Sequence, residues 1–291
     1  MTRPCPIAPP PTRPSFEVPK GACDGHVHVM GPYSTFPLAE DRLYTSAEVP
    51  LPDLVTMLDT IGLEYVVVAH PSAFGSDLSV TLDAAKRLGR RGFATIPMGP
   101  ETTNEQVRTF HEQGVRGVRL AKSLGWDATF DELKAVADRI VKLDWHFSIW
   151  PTDIAELERM RKLTEATGVR VVLDHLAGAC WDAKKGLDQE GFSLVVDMLK
   201  SKRTWLKVSG MYRVSQQRSP WPELIPFGRY LAAECSDRLL WASDWPHVGL
   251  FTDNMPQTHE VIDWLLEIGC DAATRHKILV DNPRYFYGIS Q

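Results

Sequence analysis

Short runs rich in β-branched residues alternate along the chain with longer stretches in which apolar side chains recur every three or four positions. The first spacing belongs to strands and the second to helices. Strands are predicted at Ala22 to Val29, Glu64 to His70, Gly92 to Met98, Val115 to Lys122, Trp145 to Trp150, Val169 to Leu176, Thr204 to Ser209 and Arg238 to Asp244. Helices are predicted near Pro52 to Ile61, Asp77 to Arg90, Asn104 to Gln113, Phe130 to Leu143, Asp153 to Thr167, Phe192 to Ser201, Trp221 to Cys235 and Gln257 to Ile268, several of them running into a glycine stop such as Gly62, Gly114, Gly168 or Gly269. Eight strand and helix pairs in strict alternation predict an α/β protein whose parallel sheet closes into a (β/α)8, TIM-like barrel. A doubly wound open sheet could use the same alternation, but no GxGxxG follows the first strand and no P-loop is present. Asp271 to Gly288 reads as one more helix with a break at Asn282-Pro283, capping the barrel bottom or packing beside the first helix. Residues 1–20 hold seven of the 21 prolines, so they read as an extended arm, and residues 21–291 as a single catalytic barrel with that C-terminal helix.

Composition narrows the partners. The chain is 44% hydrophobic and 24% charged, ordinary for a globular protein with a large core, and its net charge of −5 gives no basic face for nucleic acid. The expected partner is a small molecule, with homo-oligomerisation left open. Five cysteines, widely spaced and without a CxxC pattern, favour reduced thiols over disulfides or a structural zinc site. No run of about 18 apolar residues and no charged-then-apolar N-terminus is present, so neither a membrane span nor a signal peptide is expected, and the cytoplasm is the default address.

In a barrel, chemistry collects where strands end and the following loops begin. His26 and His28 end the first predicted strand, His70 the second, Arg119 lies near the end of the fourth, Trp150 ends the fifth, His175 falls at the end of the sixth, Arg213 follows the seventh and Asp244 ends the eighth. A lone histidine in an apolar run is as readily a satisfied core residue as a ligand, but the joint placement of His26, His28, His175 and Asp244 at one mouth points to an active site. Three histidines and a carboxylate suit one mononuclear zinc with an open position for water; the same histidines could act as hydrogen-bond donors without a metal. His146 begins its strand, at the wrong end for the site. His111, His259 and His276 read as surface or outer-layer groups, His247 as a residue that orients Asp244, and Cys23 as core filler.

With Cys23-Asp24-Gly25-His26-Val27-His28, Leu173-Asp174-His175 and Ser243-Asp244-Trp245-Pro246-His247, the sequence resembles the second large family of the amidohydrolase superfamily. The run His26 to Pro32, Phe36-Pro37, Tyr44 and Gly114-Val115-Arg116-Gly117-Val118-Arg119 narrow the likeness to its 2-pyrone-4,6-dicarboxylate lactonases and related sulfomuconolactone hydrolases, over about residues 20–288. The resemblance implies lactone hydrolysis in aromatic catabolism. By it Asp244 is the general base, His26, His28 and His175 polarise the carbonyl directly or through a metal, and Arg119 and Tyr44 supplement them. No strand-four lysine of the kind that bridges two metals is evident. Compared with the pyrone group, the chain lacks arginines near Gly125 and in Leu176-Ala177-Gly178 and has Trp150 in place of a tyrosine. Arg213 is then the main anion clamp, helped by Lys122 or Arg218, with His70, Trp150 and His247 around the substrate. That reduced set fits a lactone with one carboxylate or sulfonate, or an aldonolactone, better than a dicarboxylate ring. The competing readings are a zinc-dependent decarboxylase or hydratase, an aldonolactone hydrolase or isomerase, and a non-catalytic binding barrel; the last predicts a broken His and Asp set, and here the set is intact.

Overall fold

Eight parallel strands follow one another around a barrel in chain order. In the computed structural model, which describes residues 3–120, 128–251 and 255–289, these are β1 (Cys23–Val27), β2 (Tyr65–Ala69), β3 (Gly92–Ile96), β4 (Val115–Leu120), β5 (His146–Ile149), β6 (Arg170–Leu173), β7 (Thr204–Val208) and β8 (Leu239–Trp241). The ladder is continuous from β1 to β8. Closure between β8 and β1 uses residues just beyond β8: Asp244 N donates to His26 O at 2.9 Å and His28 N to Trp245 O at 2.8 Å. The Asp24 carboxylate reinforces the seam by accepting from Ser243 N and His26 N, each at 3.0 Å.

The helices between strands are α1 (Leu51–Ile61), α2 (Ser79–Leu88), α3 (Asn104–Glu112), α4 (Phe130–Ile140), α5 (Ile154–Thr167), α6 (Glu190–Lys200), α7 (Ile225–Cys235) and α8 (Thr258–Glu267). Each packs one apolar face on the sheet; in α1 that face is Leu51, Leu54, Met57, Leu58 and Ile61. Local chemistry sets their starts. At α4 the Thr129 hydroxyl accepts from Glu132 N at 3.3 Å while the Glu132 carboxylate accepts from Thr129 N at 2.7 Å, a reciprocal cap worth about 1 kcal/mol.

Two layers fill the barrel. Cys23, Val67, Phe93, Val172, Trp205 and Leu240 form an apolar lower layer closed from below by Phe286, Tyr287 and Ile289. The C-terminal segment thus caps the bottom. It runs through Ala272–His276, a π turn Lys277–Asp281 and Asn282–Tyr287, so Pro283 sits at a helix start and causes no break.

The predicted sixth and eighth strands are shorter than expected. β6 stops at Leu173 and β8 at Trp241, and the residues that follow turn into left-handed conformations, φ 53° at His175 and 60° at Asp244. The apolar run continues past each strand because these turns are buried, which makes turn and strand look alike in sequence. In the proline-rich arm, Arg3–Pro4 pairs in parallel with Tyr44–Thr45 and Ser15 is bonded to Asp263.

Candidate active site

Three histidines surround one carboxylate at the C-terminal mouth. Asp244 presents Oδ1 to His28 Nε2 at 3.5 Å and to His26 Nε2 at 3.9 Å, and Oδ2 to His175 Nε2 at 3.8 Å. All four side chains are buried. The left-handed backbone at His175 and Asp244 costs on the order of 1–3 kcal/mol each and survives because neighbours hold it. Gly210 is one such neighbour: a Cβ there would fall 2.7 Å from His175 Cβ, so the β7 turn can close on the histidine only as glycine.

The two oxygens of Asp244 differ. Oδ2 accepts from Arg213 Nε at 2.6 Å and from the Tyr212 hydroxyl at 2.7 Å, whereas Oδ1 has no hydrogen-bond partner among the described residues. The Tyr212 hydroxyl also lies 2.8 Å from His247 Nδ1, so His247 reaches Asp244 through Tyr212. Burial would raise the Asp244 carboxyl, but the Arg213 guanidinium outweighs it and holds the carboxyl well below the usual carboxylate range.

Burial pushes the site histidines down, His175 to about 4 and His26 well below its ordinary value, so each is neutral near pH 7 and carries one N–H. The partner on the other nitrogen decides which atom carries it. His28 Nδ1 donates to Ala69 O at 2.7 Å, leaving the Nε2 lone pair toward Asp244. His175 Nδ1 meets Ser209 Oγ at 3.0 Å.

His26 Nδ1 faces a group that sequence reasoning missed. Lys207, fully buried on β7, places Nζ 3.1 Å from His26 Nδ1, 2.8 Å from Asp174 Oδ1 and 3.2 Å from Ser148 Oγ, and Ser148 in turn donates to both Asp174 oxygens at 3.0 Å. Burial opposes the charge on Asp174, but Lys207 outweighs it and keeps the carboxyl well below its usual range. The signal for Lys207 was present in the period of two: Trp205, Lys207 and Ser209 share one face of an otherwise apolar strand, and that face is the barrel interior. Asp174 stood inside a motif read for its histidine, and Tyr212 beside an arginine that took the attention.

The other expected residues fall in different places. Arg119 reaches over the mouth from β4 and donates to His70 O. Tyr44 is buried on the βα1 loop, with Ser72 and the charges of Arg119 and Arg213 near it. Trp150 is 38% exposed at the rim and meets the His175 ring edge-on at 5.1 Å, so it walls the entrance, whereas Trp245 is buried. His70 is not placed to bind a ligand through its ring: Nδ1 pairs with Thr81 Oγ1 at 3.0 Å and Nε2 with Gly75 O at 2.9 Å, and the residue orders its loop. Arg213, expected to hold the substrate's anion, spends Nε on Asp244 and one terminal nitrogen on Val248 O at 2.8 Å. Arg218 is exposed, and Lys122 and Gly125 lie outside the described residues.

A divalent metal fits by position and donor type. His26, His28 and Asp244 each offer a ligand atom within 4.8 Å of the others, and His26 Nε2 and Asp244 Oδ1 are buried without partners among the described residues, as atoms waiting on a ligand would be.

The chain is similar to known proteins over most of its length. The chain is 36% identical to 4-sulfomuconolactone hydrolase of Rhizobium radiobacter, covering 94% of this chain and 92% of that protein. It is 34% identical to 2-pyrone-4,6-dicarboxylate hydrolase of Comamonas testosteroni, covering 95% and 93%. Among solved structures, a Pseudomonas putida protein assigned as a 2-pyrone-4,6-dicarboxylic acid hydrolase superposes with a TM-score of 0.78 at 26% identity, over 95% of this chain and all of that one. Residues 23–289 match the amidohydrolase family itself, from the first barrel strand to the C-terminal cap, and the chain belongs to that family.

Proposed function

We propose that this protein hydrolyses the lactone ring of a small anionic acid from aromatic catabolism, with one carboxylate or sulfonate on the ring, using Asp244 to activate water. The observation that carries the proposal is the division of labour on Asp244: Oδ2 is pinned by Arg213 and Tyr212, while Oδ1 is bare and faces the histidines. Relatives named as lactone hydrolases at 34–36% identity support the same reading.

In this mechanism a water held between Asp244 Oδ1 and the lactone carbonyl gives its proton to Oδ1 as its oxygen bonds to the carbonyl carbon. Charge collects on the carbonyl oxygen, where imidazole N–H groups and Arg119 stabilise it in a site from which bulk water is largely excluded. The ring C–O bond then breaks, and Asp244 returns the proton to the departing oxygen, giving the open hydroxy acid or its enol. A carboxylate held this low by Arg213 is a weak base, so proton transfer must run together with polarisation of the carbonyl, which explains why base and donors share one small cluster.

The metal proposed here is zinc, held by His26, His28 and Asp244 with His175 beside them, and when bound it would polarise the carbonyl and acidify the water. We place the enzyme in the reducing cytoplasm, a setting supported by five buried, free cysteines. The test is a panel of lactones read by acid release in a pH-indicator assay, with and without prior chelation. Turnover of anionic muconolactone-type rings is expected. A panel without any lactone turnover, alongside decarboxylation or hydration of an unsaturated acid, overturns the proposal.

A further inference from the structure

We infer that Lys207 is a positioning residue that fixes the proton of His26 on Nε2 in the metal-free protein, making His26 a hydrogen-bond donor into the pocket and a poorer metal ligand than His28. The inference rests on the site proposed above, but its central measurement needs no substrate.

The argument is one of donors and acceptors. An ammonium has three N–H donors and no lone pair, so whatever it touches must accept. Lys207 Nζ has three neighbours at bonding distance, Asp174 Oδ1 at 2.8 Å, His26 Nδ1 at 3.1 Å and Ser148 Oγ at 3.2 Å. All three can accept: a carboxylate, an imidazole nitrogen and a hydroxyl whose own proton goes to Asp174. Lysine and its neighbours are buried, so water cannot substitute for any of these contacts. His26 Nδ1 therefore presents its lone pair to Lys207, and the ring's single proton sits on Nε2, the atom 3.9 Å from Asp244 Oδ1. A nitrogen bearing a proton in that direction donates to a carbonyl oxygen, and it can take zinc only by giving that proton up against the pull of Lys207.

The same network holds the alternative arrangement in reserve. Asp174 Oδ1 is also 3.7 Å from His26 Nδ1. Without Lys207 the carboxylate is the natural acceptor for Nδ1–H, which turns the Nε2 lone pair into the pocket in the carboxylate–histidine arrangement typical of metal ligands. His28, whose Nδ1 donates to Ala69 O, already has that arrangement. Lys207 thus makes His26 and His28 unlike: one gives a hydrogen bond, the other offers a lone pair.

The experiment is a long-range proton–nitrogen correlation spectrum of protein labelled with 15N-histidine and stripped by chelator, the His26 signals identified by their loss in His26→Gln. The expected spectrum shows His26 neutral with Nε2 protonated and Nδ1 bare, and Ser148→Ala, which leaves Lys207 against Nδ1, keeps that pattern. In Lys207→Met the proton is expected on Nδ1, zinc uptake measured by elemental analysis rises about 10-fold or more, and metal-free kcat falls about 100-fold with a smaller change in KM, the scale of losing one oxyanion donor. Wild-type His26 with its proton on Nδ1 overturns the inference, as does a folded Lys207→Met variant with unchanged tautomer and zinc uptake. If Lys207→Met does not fold, the wild-type and Ser148→Ala spectra decide alone. A chain that hydrolyses no lactone but shows the expected spectra would sink the functional proposal and leave this one standing.

Discussion

The two ends of the barrel both bury histidine, and they use it in opposite ways. At the mouth, His26, His28 and His175 converge on Asp244 with nitrogen–oxygen separations of 3.5 to 3.9 Å. At the bottom, His146 is equally buried, yet its ring lies 4.7 Å from Phe286 and 5.7 Å from Tyr287, and neither ring nitrogen has a hydrogen-bond partner among the described residues. Gly117 leaves room for it, since a Cβ there would fall 2.6 Å from His146 Nε2. Burial drives His146 and the mouth histidines alike to the neutral form. What separates the mouth histidines from a packing one is therefore a shared carboxylate and a polar partner on the second ring nitrogen.

The comparison breaks first at Asp244. Asp244→Asn is expected to fold and to lose two to four orders of magnitude in kcat, about the range of a positioned general base, while substrate binding changes little. Near-normal turnover in the folded variant, measured by acid release, would remove Asp244 from the mechanism. Arg213 gives the next largest effect. Because its Nε is committed to Asp244 Oδ2 at 2.6 Å, Arg213→Ala is expected to lower kcat about 10- to 100-fold on neutral and anionic lactones alike. A rise in KM confined to anionic lactones would instead restore Arg213 as the clamp for the substrate's charge.

Much of this was legible in sequence, for a physical reason. The strand and helix periods are imposed by the barrel's two-layered packing, so the alternation and the eight strand positions show in any window. His26, His28 and Asp244 stood out because polar residues at the ends of apolar runs are unusual. Lys207 was passed over because a single cation inside a strand gives no motif, and its meaning depends on Asp174 and Ser148 arriving from two other strands. The role of Arg213 could not be read either: only the left-handed turn at Asp244 aims Oδ2 at the β7 loop. His70 looked like a site residue because it ends β2, but its ring turns back to Thr81 and Gly75.

His70 also sets a pH dependence. Burial pushes it down to about 4 in the folded state, against an unfolded value near 6.5. Between those values the unfolded chain binds a proton that the folded chain refuses, so the stability tied to neutral His70 is complete above about pH 6.5 and is lost as pH falls toward 4. The slope from this one group is at most about 1.4 kcal/mol per pH unit. Denaturant unfolding at pH 7, 6 and 5 should show a shallower decline in His70→Gln than in wild type, and parallel declines would mean that His70 titrates normally in the fold.

The smallest expected effect lies at the barrel bottom and tests the comparison from its inert side. His146 makes no described hydrogen bond, so replacing it removes a desolvated polar ring without orphaning a partner, the circumstance in which a buried polar group is most dispensable. His146→Leu keeps an apolar group of similar reach between Phe286 and the bare backbone of Gly117, and the stability change is expected to stay within about 1.5 kcal/mol in either direction. Nothing at the mouth depends on that ring, so kcat and KM should match wild type within about two-fold. His146 feels the charges of Lys207 and Asp174 but has no hydrogen bond to either, so the His26 tautomer should also be unchanged. A His146→Leu protein that is stable yet loses turnover would show that the lower layer transmits strain to the catalytic histidines, and the two ends of the barrel would then have to be treated as one site.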